Sequence, residues 1–419
     1  MKQELVLKDK LPDGWKWSPL VNNVNKTSSG IKKFNGVKKY VSTGDLQDQD
    51  LSFVDVTFEN RPSRANMEGI NGDVIFAKMK DTDKVLILDK ELTNNLYSTG
   101  FYILTPNQQK IISPFLFYYL KSDFFKIQKN NLAKGATQKA INDEDLAKII
   151  LLLPPLPVQK QIVAKLDAQM AQIEIMKKEA EKEKGASEEM KKAFLFNLFH
   201  FNSDLPNSWK KYSVEQLLEP NNKKAITMGP FGSSLKKDEL VNKGIQVLWI
   251  SNIKENNFNT EGVSFITEEK YKELDGFTIY PEDLIMTTMG TIGLVAIVPK
   301  NIPKTIISSH LIRIRFNKKL IYPHLMVYLL GPFSPAYKQI YEKAHGAIMK
   351  GLNTTIIKNT EVNLPPFEEQ EKILRKIENA FSHFKEIEDN VSKKLSAINE
   401  LPSSLLNEVF GKYKIPEVK

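Results

Sequence analysis

Apolar residues recur every seven positions at Ile377, Phe384, Val391, Ile398 and Leu405, with Ile373, Ala380 and Ile387 as a companion row. The same spacing runs earlier in the chain through Leu166, Ile173, Ala180, Ser187 and Phe194, beside Ile162, Met176 and Met190. Charged residues fill the intervals. Sustained 3,4 spacing predicts a long helix with a seam made for another helix. About 40 helical residues at 1.5 Å rise give a rod of about 60 Å. A rod with so long an apolar stripe needs a partner, and the nearest is the other copy. With globular domains at opposite ends, the two helices run antiparallel. Gly185 and Pro402 are expected to weaken or kink the rods. The plainer alternative is that each helix packs only on its own domain.

The rods belong to a larger repeat. Leu153-Pro-Pro-Leu-Pro-Val-Gln159 returns as Leu364-Pro-Pro-Phe-Glu-Glu-Gln370, 211 residues later, and Leu195, Asn197 and Phe199 meet Leu406, Glu408 and Phe410 at the same offset. No gap is needed over roughly 47 positions. Repeats decide architecture first, so the chain reads as two half-molecules in tandem. Leu11-Pro-Asp-Gly-Trp15 and Leu205-Pro-Asn-Ser-Trp209 mark the entry to each globular part. The predicted organisation is a first α+β domain over 1–152, a long helix over 153–200, a second α+β domain over 201–363, a second long helix over 364–411, and a tail over 412–419. Strand-like stretches in the first domain are Tyr40–Leu46, Val54–Phe58, Gly72–Lys80, Lys84–Leu88 and Phe101–Leu104, followed by an amphipathic helix from Pro114 to Phe125. The second domain answers with Gln246–Ile253, Glu282–Met289, Leu294–Val298, Leu311–Phe316 and a helix from Pro323 to Leu330.

Composition narrows the class. The 419 residues are 41% hydrophobic and 26% charged, ordinary for a globular protein. Cys is absent, which excludes disulfides, thiolate zinc sites and thiol catalysis. With no run of 18 apolar residues and no signal peptide at its start, the chain is expected in the cytoplasm. The net charge of +9 is unevenly placed: +4 over residues 1–155, −2 over the two helices, +5 over 201–366 and +2 in the tail. Mild basicity on two similar domains suits a polyanion such as DNA.

No catalytic signature emerges. The five histidines, at 200, 310, 324, 345 and 383, have no metal-ligand spacing. Gly346-Ala-Ile-Met-Lys350-Gly351 has the wrong order for a phosphate loop, and Gly232-Ser233-Ser234 is not a nucleophile elbow. Leu-Pro-Pro-Leu and Leu-Pro-Pro-Phe lack the polar first residue needed to hold a base amine for methylation. A chain this long without chemistry points to binding or scaffolding, with no catalytic, cofactor or metal residues of its own.

The candidate DNA contacts are polar and basic loop residues. Lys32, Lys33, Lys38 and Lys39 flank Gly36 in the first domain, with Lys78, Lys80 and Lys134 beyond. In the second, Gly229-Pro-Phe-Gly-Ser233-Ser234-Leu-Lys236-Lys237 offers close backbone approach, hydroxyls and charge, and Lys350 follows. Thr43, Ser251, Asn252, Thr287 and Thr288 end strands where base edges could be read. Any one of these alone is more often a solvated surface position; as a set they favour a basic face.

These stretches carry a resemblance. Leu-Pro-x-x-Trp, Gly-Pro-Phe-Gly-Ser-Ser-Leu-Lys at 229–236, Asp-Leu-Ile-Met-Thr-Thr-Met-Gly-Thr-Ile-Gly at 283–293 and the doubled Leu-Pro-Pro-x-x-x-Gln-x-x-Ile together resemble the specificity subunit of type I restriction-modification systems, over nearly the whole chain. The first domain departs from the second, using Gly72-Asp-Val-Ile75 and Tyr97-Ser-Thr-Gly-Phe-Tyr102 where the second has its Gly-rich stretches. No base contact is carried over. The resemblance implies two target-recognition domains, each reading one half of an asymmetric split DNA sequence, and two long helices as an antiparallel coiled-coil spacer. It implies two copies of a methylation subunit docked on this chain, joined by restriction subunits that translocate and cleave. S-adenosylmethionine would belong to the former and ATP with Mg²⁺ to the latter, so this chain would hold no cofactor. Half-sites on one face of DNA lie about 34 Å apart per turn, a spacing the rods suit. The rivals are a specificity subunit whose single partner fuses methylase and nuclease, a non-DNA scaffold, and a nuclease.

Overall fold

The computed structural model describes residues 10–47, 50–136, 138–199, 206–230, 234–254, 257–345 and 352–413. The chain forms two compact units that cut across its linear segments. One holds residues 1–181 and 393–419, the other 182–392. Each unit therefore owns a globular α+β part, the start of one long helix and the end of the other.

In the first unit Lys16–Pro19 pairs antiparallel with Ile150–Leu153, Trp17 opposite Leu152. A four-stranded sheet has the order Val54–Val56, Lys38–Val41, Leu96–Ser98, Ala65–Met67, and its Lys38–Val41 and Leu96–Ser98 strands run parallel. A second sheet has the order Val24–Lys26, Phe101–Pro106, Val74–Ala77, Val85–Ile87, all antiparallel. Strand Leu96–Ser98 passes through Thr99 and Gly100 straight into Phe101–Pro106, so one turn joins the sheets. Val74, Phe76, Tyr102 and Leu104 face the helices and pack on Phe115, Tyr119 and Phe125. Ile75, Ala77, Phe101 and Ile103 face the other sheet and bury against Val41 and Tyr97. Such two-sided burial explains why these strands read as continuous apolar runs rather than alternating ones.

The single helix expected from Pro114 to Phe125 is two helices, Ser113–Lys121 and Asp123–Leu132. Ser122 divides them. Its hydroxyl donates to the Tyr119 carbonyl at 2.5 Å and accepts the Phe125 N–H at 3.3 Å, an N-cap inside an otherwise apolar run.

The second unit repeats the plan with a smaller first sheet. Lys210–Ser213 pairs with Glu361–Leu364. Ser264–Ile266, Ile245–Leu248 and Thr305–Ile307 form one sheet; Ile226–Met228, Leu311–Ile314, Leu284–Thr287 and Val295–Ile297 form the other. The helix Pro323–Leu330 lies where expected, followed by Pro335–His345. Ser334 caps the latter as Ser122 does, taking the Tyr337 N–H at 2.9 Å. Gln128 exchanges two hydrogen bonds with the backbone of Ile150, both 3.0 Å, and Gln339 does the same with Glu361 at 3.1 and 3.0 Å.

The long helices span Leu156–Phe199 and Phe367–Phe410, 44 residues each and unbroken at Gly185 and Pro402. The seven-residue seam is buried: Leu166, Ile173, Ala180 and Ser187 on the first, Ile377, Phe384, Val391 and Ile398 on the second. At the last step the buried position moves on by one, to Leu195 and Leu406, leaving Phe194 and Leu405 half-buried. The companion row is weaker than expected. Ile162, Met176, Ile373 and Ala380 are half-buried, but Met190 is 55% and Ile387 41% exposed, because the partner helix covers only a narrow stripe at this level. Inside each unit the helices pair antiparallel. In the first, Leu166 shares a core with Leu406, and Ile173 shares one with Ile398. In the second, Lys191 pairs with Glu388 at 2.5 Å and the Phe194 and Phe384 rings lie 6.1 Å apart. Each unit is thus closed by the start of one rod and the end of the other: Val163, Leu406 and Phe410 in the first core, Leu195, Phe199 and Ile377 in the second.

Candidate nucleic-acid interface

Sheet topology gathers the polar ends of several strands at one corner of each unit. In the first, Lys38–Val41 and Leu96–Ser98 run parallel, so Ser42 and Thr43 emerge beside Ser98 and Thr99. The antiparallel neighbour begins at Ala65, which brings Arg64 to the same end, and its carbonyl accepts the Thr99 N–H at 2.9 Å. The second sheet adds Lys78, whose N–H donates to the Gly100 carbonyl at 3.0 Å, and Lys84, whose ammonium donates to the Thr43 carbonyl at 2.6 Å. A Cβ on Gly100 would come within 3.0 Å of the Thr43 methyl, so glycine lets these elements close up.

The hairpin beyond Lys78 is pinned to the helix Asp123–Leu132. Lys129 is 1% exposed, and its ammonium donates to the carbonyls of Ala77 and Thr82 and to the Thr82 hydroxyl. Burial pushes its pKa down to about 8, with Lys126 adding to the effect. Asn130 bonds Asp81 through backbone and side chain, at 2.9 and 2.8 Å. Met79 and Lys134 both pair with Ala140, and the Lys80 N–H donates to the Lys139 carbonyl at 2.8 Å. Lys80, Lys134 and Lys139 are therefore brought together into a basic strip.

In the second unit the corresponding corner holds Ser251, Thr288 and the turn Ser308–His310. The Ser308 N–H donates to Leu248 at 2.9 Å and the Thr288 N–H to His310 at 3.0 Å. Gly229 passes so close that a Cβ would sit 1.9 Å from the Ser308 carbonyl oxygen. Here the hairpin is pinned differently: the Tyr337 hydroxyl donates to the Ile292 carbonyl at 3.0 Å, and Gly293, at φ +79°, lies against the Tyr337 ring.

The sequence-based candidates divide. Lys32, Lys33, Lys39, Lys134, Ser234, Lys236, Lys237 and Ser251 are exposed, and Thr43 and Lys80 are half-buried. Lys32 and Lys33 lie on a loop tied to the edge strand, Ile31 donating to Asn66. Lys38 is engaged by Glu68 at 2.5 Å and lies over the Phe34 ring. Lys39 sits over Phe53, at the far end of the strand that leads to Thr43. Lys78 is half-buried over the Tyr102 ring beside the Lys26–Asp143 pair, and burial lowers its pKa. Asn252, Thr287 and Thr288 are buried, and two of them serve the backbone. Asn252 takes the Trp249 N–H and donates to the Glu261 carbonyl; the Thr287 hydroxyl bonds Thr291 and Leu294 inside the hairpin. These side chains shape the corner from within. Ser233 and Lys350 lie outside the described residues. Arg64, Lys84, Lys139 and His310 share the corners without having stood out in the sequence, since no periodicity or motif marks them.

Among the described residues no three His, Cys, Asp or Glu side chains gather as metal ligands, and no helix is long and apolar enough to cross a membrane. A cavity of about 490 Å³ in the second unit, lined by Phe199, Lys211, Leu329 and Ala336 among others, lies against the helices rather than at the corner.

Comparison with known proteins accords with this arrangement. The EcoKI specificity subunit of the type I restriction enzyme of Escherichia coli K12 is 24% identical, over 96% of this chain and 89% of the relative. The StySPI specificity subunit of Salmonella potsdam is 22% identical over the same shares. A chain from a structural study of complex assembly and conformational transition in the type I R-M system superposes with a TM-score of 0.76 at 20% identity, over 96% of this chain and 98% of that one. The HsdS subunit of Thermoanaerobacter tengcongensis gives 0.57 at 20% identity and the same coverage; both show the fold. A sequence model of the type I restriction modification DNA specificity domain matches twice, over residues 20–183 and 206–397, once on each globular region and the helix after it, and the chain therefore belongs to that family.

Proposed function

We propose that this chain is the non-catalytic specificity subunit of a type I restriction-modification enzyme, reading an asymmetric bipartite DNA target with one half-site per unit. The observation that carries the reading is the repeated corner: both units bring the same strand ends together but furnish them with different side chains. Equal scaffolds with unequal contact residues suit two different half-sites. Lys32, Lys33, Lys80 and Lys134 in the first unit, and Lys236 and Lys237 in the second, supply phosphate contacts that position the duplex. Thr43, Ser234 and Ser251 are the hydroxyls that read base edges in this proposal. The two long helices set the gap between half-sites and present the docking surface for two methylation subunits, to which restriction subunits are added. The assembly works in the cytoplasm.

The test is to express the chain with its neighbouring methylation subunit in a host that lacks DNA methylation, and to map the modified bases. One split motif with a fixed gap is expected, and exchanging residues 205–363 for those of a relative should change one half only. A palindromic motif, or none with an active partner, would overturn the reading. DNA affinity should also fall steeply with salt, which a protein scaffold would not show.

A further inference from the structure

The sequence contains five arginines. Four are engaged within the protein. Arg61 lies 4.7 Å from the Phe58 ring. Arg313 is buried and donates to the carbonyls of Gly276, Thr278 and Lys224. Arg315 makes a two-pronged pair with Asp283 at 2.7 and 2.8 Å. Arg375 bonds Glu371 on the surface of a long helix at 2.7 Å. Arg64 is the exception. It is exposed, and among the described residues its guanidinium has no hydrogen bond, ion pair or ring contact.

Its backbone, in contrast, is fixed. The Ala65 N–H donates to the Pro62 carbonyl at 2.8 Å, which closes a turn with Ser63 and Arg64 at its tip. The Arg64 carbonyl accepts the N–H groups of Asn66 and Thr99, both at 2.9 Å, and Ala65 beside it is fully buried. A planar five-donor fork is thus held by a rigid stem at the corner shared by Thr43, Lys84 and Gly100. Lysines are plentiful nearby and suffice for the phosphates as point charges. The directional fork is the group that distinguishes bases, and its best complement in the major groove is the O6 and N7 pair of guanine.

We infer that Arg64 is a specificity-determining residue that reads a guanine in the half-site of the first unit. The inference rests on the reading of the chain as a DNA-specificity subunit. It adds an asymmetry: the two arginines of the second globular part, Arg313 and Arg315, are committed to the fold, so that half-site is read without a guanidinium.

The experiment maps modified bases for the full chain with its methylation subunit, comparing the wild type with Arg64→Ala and Arg64→Lys. A wild type that gives no split motif would defeat the functional reading itself, not this inference alone. Given a split motif, exchange of residues 205–363 identifies the half read by the second unit and, by difference, the half read by the first. That remaining half should contain a guanine at which both variants lose discrimination, by roughly tenfold to a hundredfold, with the other half and the gap unchanged. Arg64→Lys keeps the charge but not the fork, so it should relax the same position while retaining more overall modification. Absence of guanine from that half would overturn the inference. So would an unchanged motif at uniformly lower occupancy, the mark of a phosphate contact, or an Arg64→Lys variant indistinguishable from wild type.

Discussion

Gln159 takes the backbone N–H of Ile112 on its side-chain oxygen at 3.1 Å, tying the first turn of the first long helix to the start of the helix Ser113–Lys121. Its amide donates to the carbonyls of Lys110 and Pro154, both at 2.8 Å. Gln370 repeats the arrangement with Tyr322, Leu320 and Pro365 at 3.0, 2.9 and 3.2 Å. Both glutamines are at most 1% exposed. Replacing either by Leu keeps the volume but strands one donor and two acceptors away from water. Each variant is expected to lose at least about 3 kcal/mol, from a cost of about 1–3 kcal/mol for each of the three buried groups left unpaired. Calorimetric unfolding of the full chain checks this. Loss below 1 kcal/mol would mean that water replaces the amide.

The last turn of the second long helix packs in the core of the first unit. Phe410 is fully buried, its ring 5.4 Å from Phe115 and 5.8 Å from Tyr119, although nearly 300 residues separate them. Phe410→Ala should cost about 3–5 kcal/mol. The loss should fall on the first unit, although the substitution is at the far end of the sequence. Hydrogen exchange would show faster opening of residues 113–132 than of 323–345. The reverse order would contradict the pairing.

The seven-residue spacing of Leu166, Ile173 and Ala180, repeated by Ile377, Phe384 and Val391, was legible because helix periodicity and a gapless repeat are one-dimensional signals. The strands Ala65–Met67 and Leu96–Ser98 were not. Each is three residues long and exists because its neighbours pair with it, so local pattern carries almost nothing. The break at Ser122 was hidden for a related reason: apolar residues continue on both sides, and only the cap separates the helices. Among site residues, Asn252 and Thr287 looked available because they are polar and end strands. Their polarity instead satisfies nearby backbone groups, a use that sequence does not distinguish from a ligand contact. Arg64 went unnoticed for the opposite reason. Its interest lies in what it does not touch, which only a structure shows.

Two positions in the middle of the first long helix are poorly matched to a helix. A Cβ on Gly185 would meet nothing within 4 Å, and its φ is not in the left-handed region. Gly185→Ala should therefore stabilise by about 1 kcal/mol. Ser187 occupies a seam position, 2% exposed, with its hydroxyl unpaired. Ser187→Ala should stabilise by about 1 kcal/mol by removing a buried group without a partner. Thermal unfolding should show both midpoints raised by a few degrees. A lower midpoint for Ser187→Ala would indicate that the hydroxyl is bonded to its own helix.

Lys129 gives the fold a pH dependence of defined sign. Its folded pKa is near 8, below the ordinary 10.5, because burial disfavours the ammonium. Between those values the unfolded chain binds more protons than the folded one, so stability rises with pH through that window, by at most about 1.4 kcal/mol per pH unit for one such group. Below pH 8 both states are protonated and the contribution is flat. Lys78, also lowered by burial, acts in the same direction. Opposing them, burial raises the phenols of Tyr97, Tyr102, Tyr118 and Tyr119. Above about pH 10 these ionise in the unfolded chain first, and stability falls again. Urea unfolding from pH 7 to 11 should therefore show a rise beginning near pH 8 and a decline beyond pH 10. Lys129→Met, which keeps the apolar stem but carries no proton, should flatten the rise while leaving the alkaline decline in place. An identical slope in the variant would show that Lys129 keeps its charge throughout, held by the Ala77 and Thr82 carbonyls strongly enough to offset its burial.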